Sequence, residues 1–106
     1  MEKIYSIEEV KKIIDHNEFV FLYISGPKCS VCTALKPKIN EVLNKYERIK
    51  SIEMNISDNE HISGEFSVFT IPAIIGYFKG KEILREARFI SVLELDKKLN
   101  RYYDFL

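Results

Sequence analysis

The chain has 106 residues, 46% hydrophobic and 30% charged, and its 16 basic and 16 acidic side chains leave no net charge. That length suits one domain able to bury its own core without metal or disulfide staples, and the charge balance argues against nucleic acid or an anionic membrane surface as the partner. The first residues carry no apolar signal core, and no run approaches the roughly 18 apolar residues of a membrane span. The expectation is a cytoplasmic monomer.

Residues 2–5 suit a short edge strand. A helix starts at Ser6, where Ser6 and Glu9 read as a capping box and Tyr5 and Val10 as a hydrophobic staple. Ile7, Val10 and Ile14 recur at helical spacing, so this helix packs on one face and ends near His16 and Asn17. The run 19–24 is apolar apart from the Tyr23 hydroxyl, as expected of a central strand covered on both sides. Gly26 and Pro27 break it, and the chain's only two cysteines, in Lys28-Cys29-Ser30-Val31-Cys32, open the helix that follows.

A helix start is electropositive, because its first backbone N–H groups have no partner within the helix. This favours a thiolate at Cys29, the candidate nucleophile. Cys32 lies about one turn further on, within reach of a mixed disulfide at Cys29, and is the candidate resolving thiol. In a reducing compartment, a lone C-x-x-C beside an α/β pattern points to redox chemistry rather than to a structural bridge.

The helix is predicted over 29–46 with a kink before Pro37, and Lys36 and Lys38 read as a solvated face, as do Lys97 and Lys98. Alternation over 49–56 predicts a strand, parallel to the first main one by right-handed crossover. Ser57 and Glu60 read as a second capping box, opening a short helix through about Phe66 weakened by Gly64. A strand over 73–78, a turn at 79–81 and a strand over 82–88 form an antiparallel hairpin. Ser91 and Glu94 cap a last helix with Val92, Leu95, Leu99, Tyr102 and Leu106 down one face, and Tyr102, Tyr103 and Phe105 read as core plus rim. His16 and His61 have no ligand-like spacing to the cysteines, so no metal is expected. The fold class is α/β, in the order β-α-β-α-β-α-β-β-α.

The strand, the C-x-x-C, Pro37 eight residues after Cys29, Ile71-Pro72 with its proline forty residues after Cys32, and Phe78-Lys79-Gly80-Lys81-Glu82 resemble the thioredoxin family in register over nearly the whole chain. The resemblance implies a thioredoxin fold with a central mixed sheet and a cis Ile71–Pro72 bond. Ile71 backbone groups would then be free to pair with an extended substrate, and Pro72 would keep metal ions off the cysteines. It also implies a redox-active Cys29–Cys32 disulfide with no bound cofactor. A flavin-dependent thioredoxin reductase, or a low-molecular-weight thiol, would re-reduce it.

The departures are local. The family's Trp-Cys-Gly-Pro-Cys is replaced by a motif with Lys28, Ser30 and Val31, in a chain without tryptophan. The family's buried aspartate is replaced by Tyr23, and the lysine that partners it by Glu53. The expectation is that Glu53 accepts the proton of Cys32 and that Tyr23 hydrogen-bonds to Glu53. Two functions follow. In the first, Cys29 and Cys32 reduce or exchange protein disulfides, with Lys28, Ser30, Val31, Thr70, Ile71 and Pro72 against the substrate. In the second, a non-catalytic module uses the groove around Cys29 and Pro72 to hold a partner; two retained cysteines favour the first.

Overall fold

In a computed structural model describing residues 1–106, the apolar run Phe19–Ser25 is the middle strand of a five-stranded sheet. Along the chain come β1 (Glu2–Lys3), α1 (Ile7–His16), β2 (Phe19–Ser25), α2 (Ser30–Leu43) and β3 (Lys50–Asn55). A 3-10 turn at Ile56–Asp58 leads to α3 (Ile62–Phe66), β4 (Ala73–Phe78), β5 (Lys81–Ala87) and α4 (Val92–Tyr103). The sheet order is β1-β3-β2-β4-β5, with β1, β3 and β2 parallel and β4 and β5 antiparallel.

Because strand side chains alternate, β2 feeds two cores. Val20, Leu22 and Ile24 pack with Val10, Ile14, Ile52, Met54 and Ile62 under α1 and α3. Phe19, Phe21 and Tyr23 pack with Leu35, Ile39, Leu95 and Leu99 under α2 and α4. The central position and double burial of β2 are thus as expected. Tyr102, Tyr103 and Leu106 pack against the second core while Phe105 is exposed, which matches core plus rim.

Several local expectations need correction. The hydroxyls of Ser6 and Ser91 accept from the backbone N–H of Glu9 and Glu94, but only this half of each capping box forms. Tyr5 is 59% exposed and does not staple α1. The neighbouring Ile4 does so instead, buried with Val10 and Ile14 and tied to β3 by its N–H on the Glu53 carbonyl. Helix α2 ends at Leu43 rather than 46. The N–H groups of Lys45 and Tyr46 donate to carbonyls three residues back, which tightens the end into a turn and carries Tyr46 to its hydrogen bond with Asp96. The Ser57–Glu60 capping box is absent. Asn55 accepts from the Ser57 N–H and Asn59 from the His61 N–H, so two short asparagine turns displace the first turn of the helix, which starts at Ile62.

Candidate active site

Strand β2 ends at Ser25, and Pro27 and Lys28 turn the chain so that Cys29 caps α2. Lys28 sits at φ 56°, the left-handed region. The Cys32 N–H donates to Cys29 Sγ at 3.1 Å, so the sulfur occupies the place a capping oxygen would fill. Cys29 and Cys32 are joined as a disulfide. Cys29 is half-buried and Cys32 is 4% exposed, so the first sulfur faces outward and the second faces the core. Ser30 and Val31 stand exposed between them, Val31 at 55%.

The Ile71–Pro72 bond is cis, Pro72 is buried, and Ile71 is half-buried at the head of β4. Strand β4 pairs with β2 so that Ala73 lies opposite Ile24, which brings Ile71 and Pro72 to the same end of the sheet as Cys29. Phe69, Thr70 and Ile71 use no backbone N–H or carbonyl in any hydrogen bond within the chain. Gly26 lets the chain run close to the side chains of Ile71 and Ile56, since a Cβ on it would lie 2.6 Å from Ile71 Cδ1 and 3.0 Å from Ile56 Cγ1 and would push them aside.

On the α2 side of the sheet, register places Lys3, Glu53, Tyr23 and Ile74 in one row across four strands. Lys3, Tyr23 and Glu53 face Cys32, Lys36 and Pro37 across a cleft of about 480 Å³. The expected bond between Tyr23 and Glu53 is not formed. The Tyr23 hydroxyl donates to the Cys32 backbone carbonyl at 2.7 Å, and Glu53 instead takes Lys36, with Nζ 2.9 Å from Oε1 and 2.8 Å from Oε2. Pro37 has no N–H for the Thr33 carbonyl, and in this loosened turn the tyrosine hydroxyl takes the neighbouring Cys32 carbonyl. Burial, helped by the Glu53 charge, holds the Tyr23 phenol up at about 12.

Lys36 is therefore not simply part of a solvated face, and its signal in the sequence was its place one turn after Cys32 on the same side of α2. Lys98 is also engaged, donating to Glu86 at 2.9 Å, whereas Lys38 is exposed. Sequence reading also missed Phe69 and Phe89, which are 81% and 88% exposed. Phe89 follows Arg88, whose N–H donates to the Pro72 carbonyl at 2.8 Å, so the loop after β5 borders the site. His16 and His61 are exposed and apart from the cysteines, and no group of three or more His, Cys, Asp or Glu stands together as a metal site.

A half-exposed sulfur at a helix start, bonded to a buried one beside an edge of unpaired backbone, defines a dithiol–disulfide exchange protein. Residues 3–100 match the thioredoxin family, and the chain belongs to it. It is 39% identical over 103 residues to the thioredoxin-like protein YdfQ of Bacillus subtilis, covering 97% of this chain and 92% of that one. It is 26% identical to a thioredoxin of Pyropia yezoensis over 87% of each chain. Thioredoxin from Trypanosoma brucei brucei has the same fold, with a TM-score of 0.85 at 17% identity over 96% of this chain and 89% of that one. The protein is a thiol–disulfide oxidoreductase with a redox-active cysteine pair, and disulfides are its substrates.

Proposed function

We propose that the substrates are protein disulfides and that Cys29 attacks them. The Cys29 thiolate bonds to one substrate sulfur as the substrate S–S bond breaks, and the other substrate sulfur leaves with the electron pair. Cys32 then loses its proton and attacks Cys29 Sγ. The Cys29–Cys32 bond forms, the mixed disulfide breaks, and the second substrate thiolate departs. The substrate gains two electrons and the cysteine pair loses two; an external reductase of the flavin-dependent thioredoxin reductase class, or a small thiol, returns them. No bound cofactor takes part.

The free backbone of Ile71 and the surfaces of Thr70, Pro72, Ser30 and Val31 receive the substrate chain as a short added strand. Lys28 supplies a cation beside Cys29. Glu53 accepts the Cys32 proton, with Lys36 rather than Tyr23 as its partner. The protein works as a monomer in the cytoplasm, where the reducing poise keeps the pair ready to donate.

The observation that carries this reading is the asymmetry of the two sulfurs, one outward at a helix start and one 4% exposed behind it. The test equilibrates the protein in dithiothreitol redox buffers, reads thiol alkylation by mass spectrometry, and follows turnover of a protein disulfide with a regenerating reductant. The expected result is a single two-electron transition in the strongly reducing range, with turnover lost in Cys29→Ser. Saturable binding that survives Cys29→Ser without turnover would mark a binding module instead.

A further inference from the structure

The segment that presents Thr70 and Ile71 has few bonds of its own, since Phe69, Thr70 and Ile71 leave their backbone groups unpaired within the chain. Its flanks are tied by the Val68 N–H to the Ser63 carbonyl at 2.9 Å and by the Arg88 N–H to the Pro72 carbonyl at 2.8 Å. One further tether comes from the far edge of the sheet. Arg85, on β5 opposite Ile75, donates through Nη1 to the carbonyls of Phe66 at 2.8 Å and Ser67 at 3.2 Å. These are the last residue of α3 and its cap, and the cap sits at φ 54°. A non-glycine residue in that left-handed region is strained, so a bond to its carbonyl helps to hold it there.

The other edge of the guanidinium is occupied too. Its Nε and Nη2 donate to the two oxygens of Glu82 at 3.0 and 2.8 Å. Four of these hydrogen-bond assignments against the five N–H donors of an arginine leave no open fork for an outside anion. The head is thus a fastening and not a binding group. The backbone it fastens runs directly into Val68 and Phe69, and then into the unpaired edge.

We propose that Arg85, clasped by Glu82, is a positioning residue for substrate docking: it fixes the end of α3 and so the placement of the Thr70–Ile71 edge beside the disulfide. This rests on the reading that protein disulfides dock on that edge. Arg85 does not touch the reacting sulfurs, so its loss acts on binding of an extended chain and leaves the intrinsic reactivity of Cys29 alone.

The test compares the full chain with Arg85→Gln, Arg85→Lys and Glu82→Gln. Three quantities are measured: KM for insulin as a protein disulfide, the rate with a small aromatic disulfide, and hydrogen exchange at the Val68 amide. Arg85→Gln should raise KM for insulin roughly tenfold, the scale of one charge-assisted hydrogen bond. Its rate with the small disulfide should stay within about twofold of wild type, a difference of about 0.4 kcal/mol, and Val68 should exchange faster. Arg85→Lys should fall between the two, and Glu82→Gln, which keeps the arginine, should give the same split at smaller size. An unchanged insulin KM, or equal losses on both substrates, overturns the proposal. If the wild-type protein reacts with the small disulfide but not with insulin, the docking reading fails, and the proposal that depends on it is overturned with it.

Discussion

Tyr23 reaches from the central strand to the helix that carries the cysteines, and its hydroxyl donates to the backbone carbonyl of Cys32 at 2.7 Å. Both residues are buried, so Tyr23→Phe leaves that carbonyl without its partner. The expected cost is about 1–2 kcal/mol of stability, seen as a lower urea midpoint at unchanged slope. A midpoint equal to wild type would show that the carbonyl finds another donor.

The same tyrosine should be felt in alkali. Burial first, then a nearby glutamate, holds Tyr23 and Tyr77 at about 12, and Tyr46 is also raised, chiefly by burial and its bond to Asp96. A folded-state pKa above the unfolded value means that the stabilisation is complete below about pH 10 and is lost as pH rises toward 12. Denaturant unfolding across that window should show falling stability, with a shallower fall in Tyr23→Phe.

Acid acts through two other carboxylates. The Arg85 hydrogen bond holds Glu82 below the usual carboxylate range, and hydrogen bonds from Lys45 and then Tyr46 do the same for Asp96. Depressed folded-state values mean that the stabilisation is present above about pH 4 and disappears as pH falls through them. Both sites are partly solvated, which keeps the effect modest. Glu82→Gln should flatten the acid limb of the stability profile; an unchanged slope would show that this pair contributes nothing there.

Glu53 is only 13% exposed in its side chain and lines the cleft with Cys32. As proton acceptor it should matter in one step, release of substrate from a preformed Cys29 mixed disulfide. Glu53→Gln should slow that release roughly tenfold or more, somewhat below the usual range for general acid–base groups. Stopped-flow release with the wild-type rate and pH profile would remove Glu53 from the mechanism.

Two glycines make opposite predictions for the same substitution. A Cβ at Gly76 would lie 2.8 Å from Leu84 Cγ in the second core, so Gly76→Ala should cost about 1–3 kcal/mol by overpacking. A Cβ at Gly64 meets nothing within 4 Å, and α3 gains a better helix former, so Gly64→Ala should add about 0.5–1 kcal/mol. Thermal unfolding of the pair separates packing from propensity.

The legible parts of this protein were those with strong local patterns. The unbroken apolar run of β2, the helical spacing of Val10 and Ile14, and the Gly26-Pro27 break before Cys29 each describe their element without tertiary help. The cysteines were visible because residue type and spacing carry the chemistry, and the cis bond at Pro72 was visible through the resemblance to the thioredoxin family. What stayed hidden depends on which of several partners a flexible side chain selects. Nothing local says that Tyr23 turns to the Cys32 carbonyl rather than to Glu53 beside it in register. Lys36 lies one turn after Cys32 on the same side of its helix, but only the carboxylate beneath it separates it from the other lysine there. Arg85 stands between Leu84 and Glu86 on an edge strand that carries several charges, and its grip on Phe66 and Ser67 spans 18 or more residues of sequence. The asparagine turns at Asn55 and Asn59 were masked by a serine and glutamate at capping-box spacing.

The place of β2 between β3 and β4 bears on how the protein is made. Synthesis proceeds from the N-terminus, so β3 follows the cysteine helix out of the ribosome well before β4 does. Until Ala73–Phe78 emerges, one edge of the most apolar strand has no antiparallel partner, and nothing yet brings Ile71 and Pro72 to the cysteine end of the sheet. Long-range pairings of this kind form late because their loops must first be closed. A newly made chain therefore carries its two thiols before it carries the segment brought to their end of the sheet by β4; under the proposed docking on Ile71, discrimination between disulfides arrives only with the second half of the polypeptide.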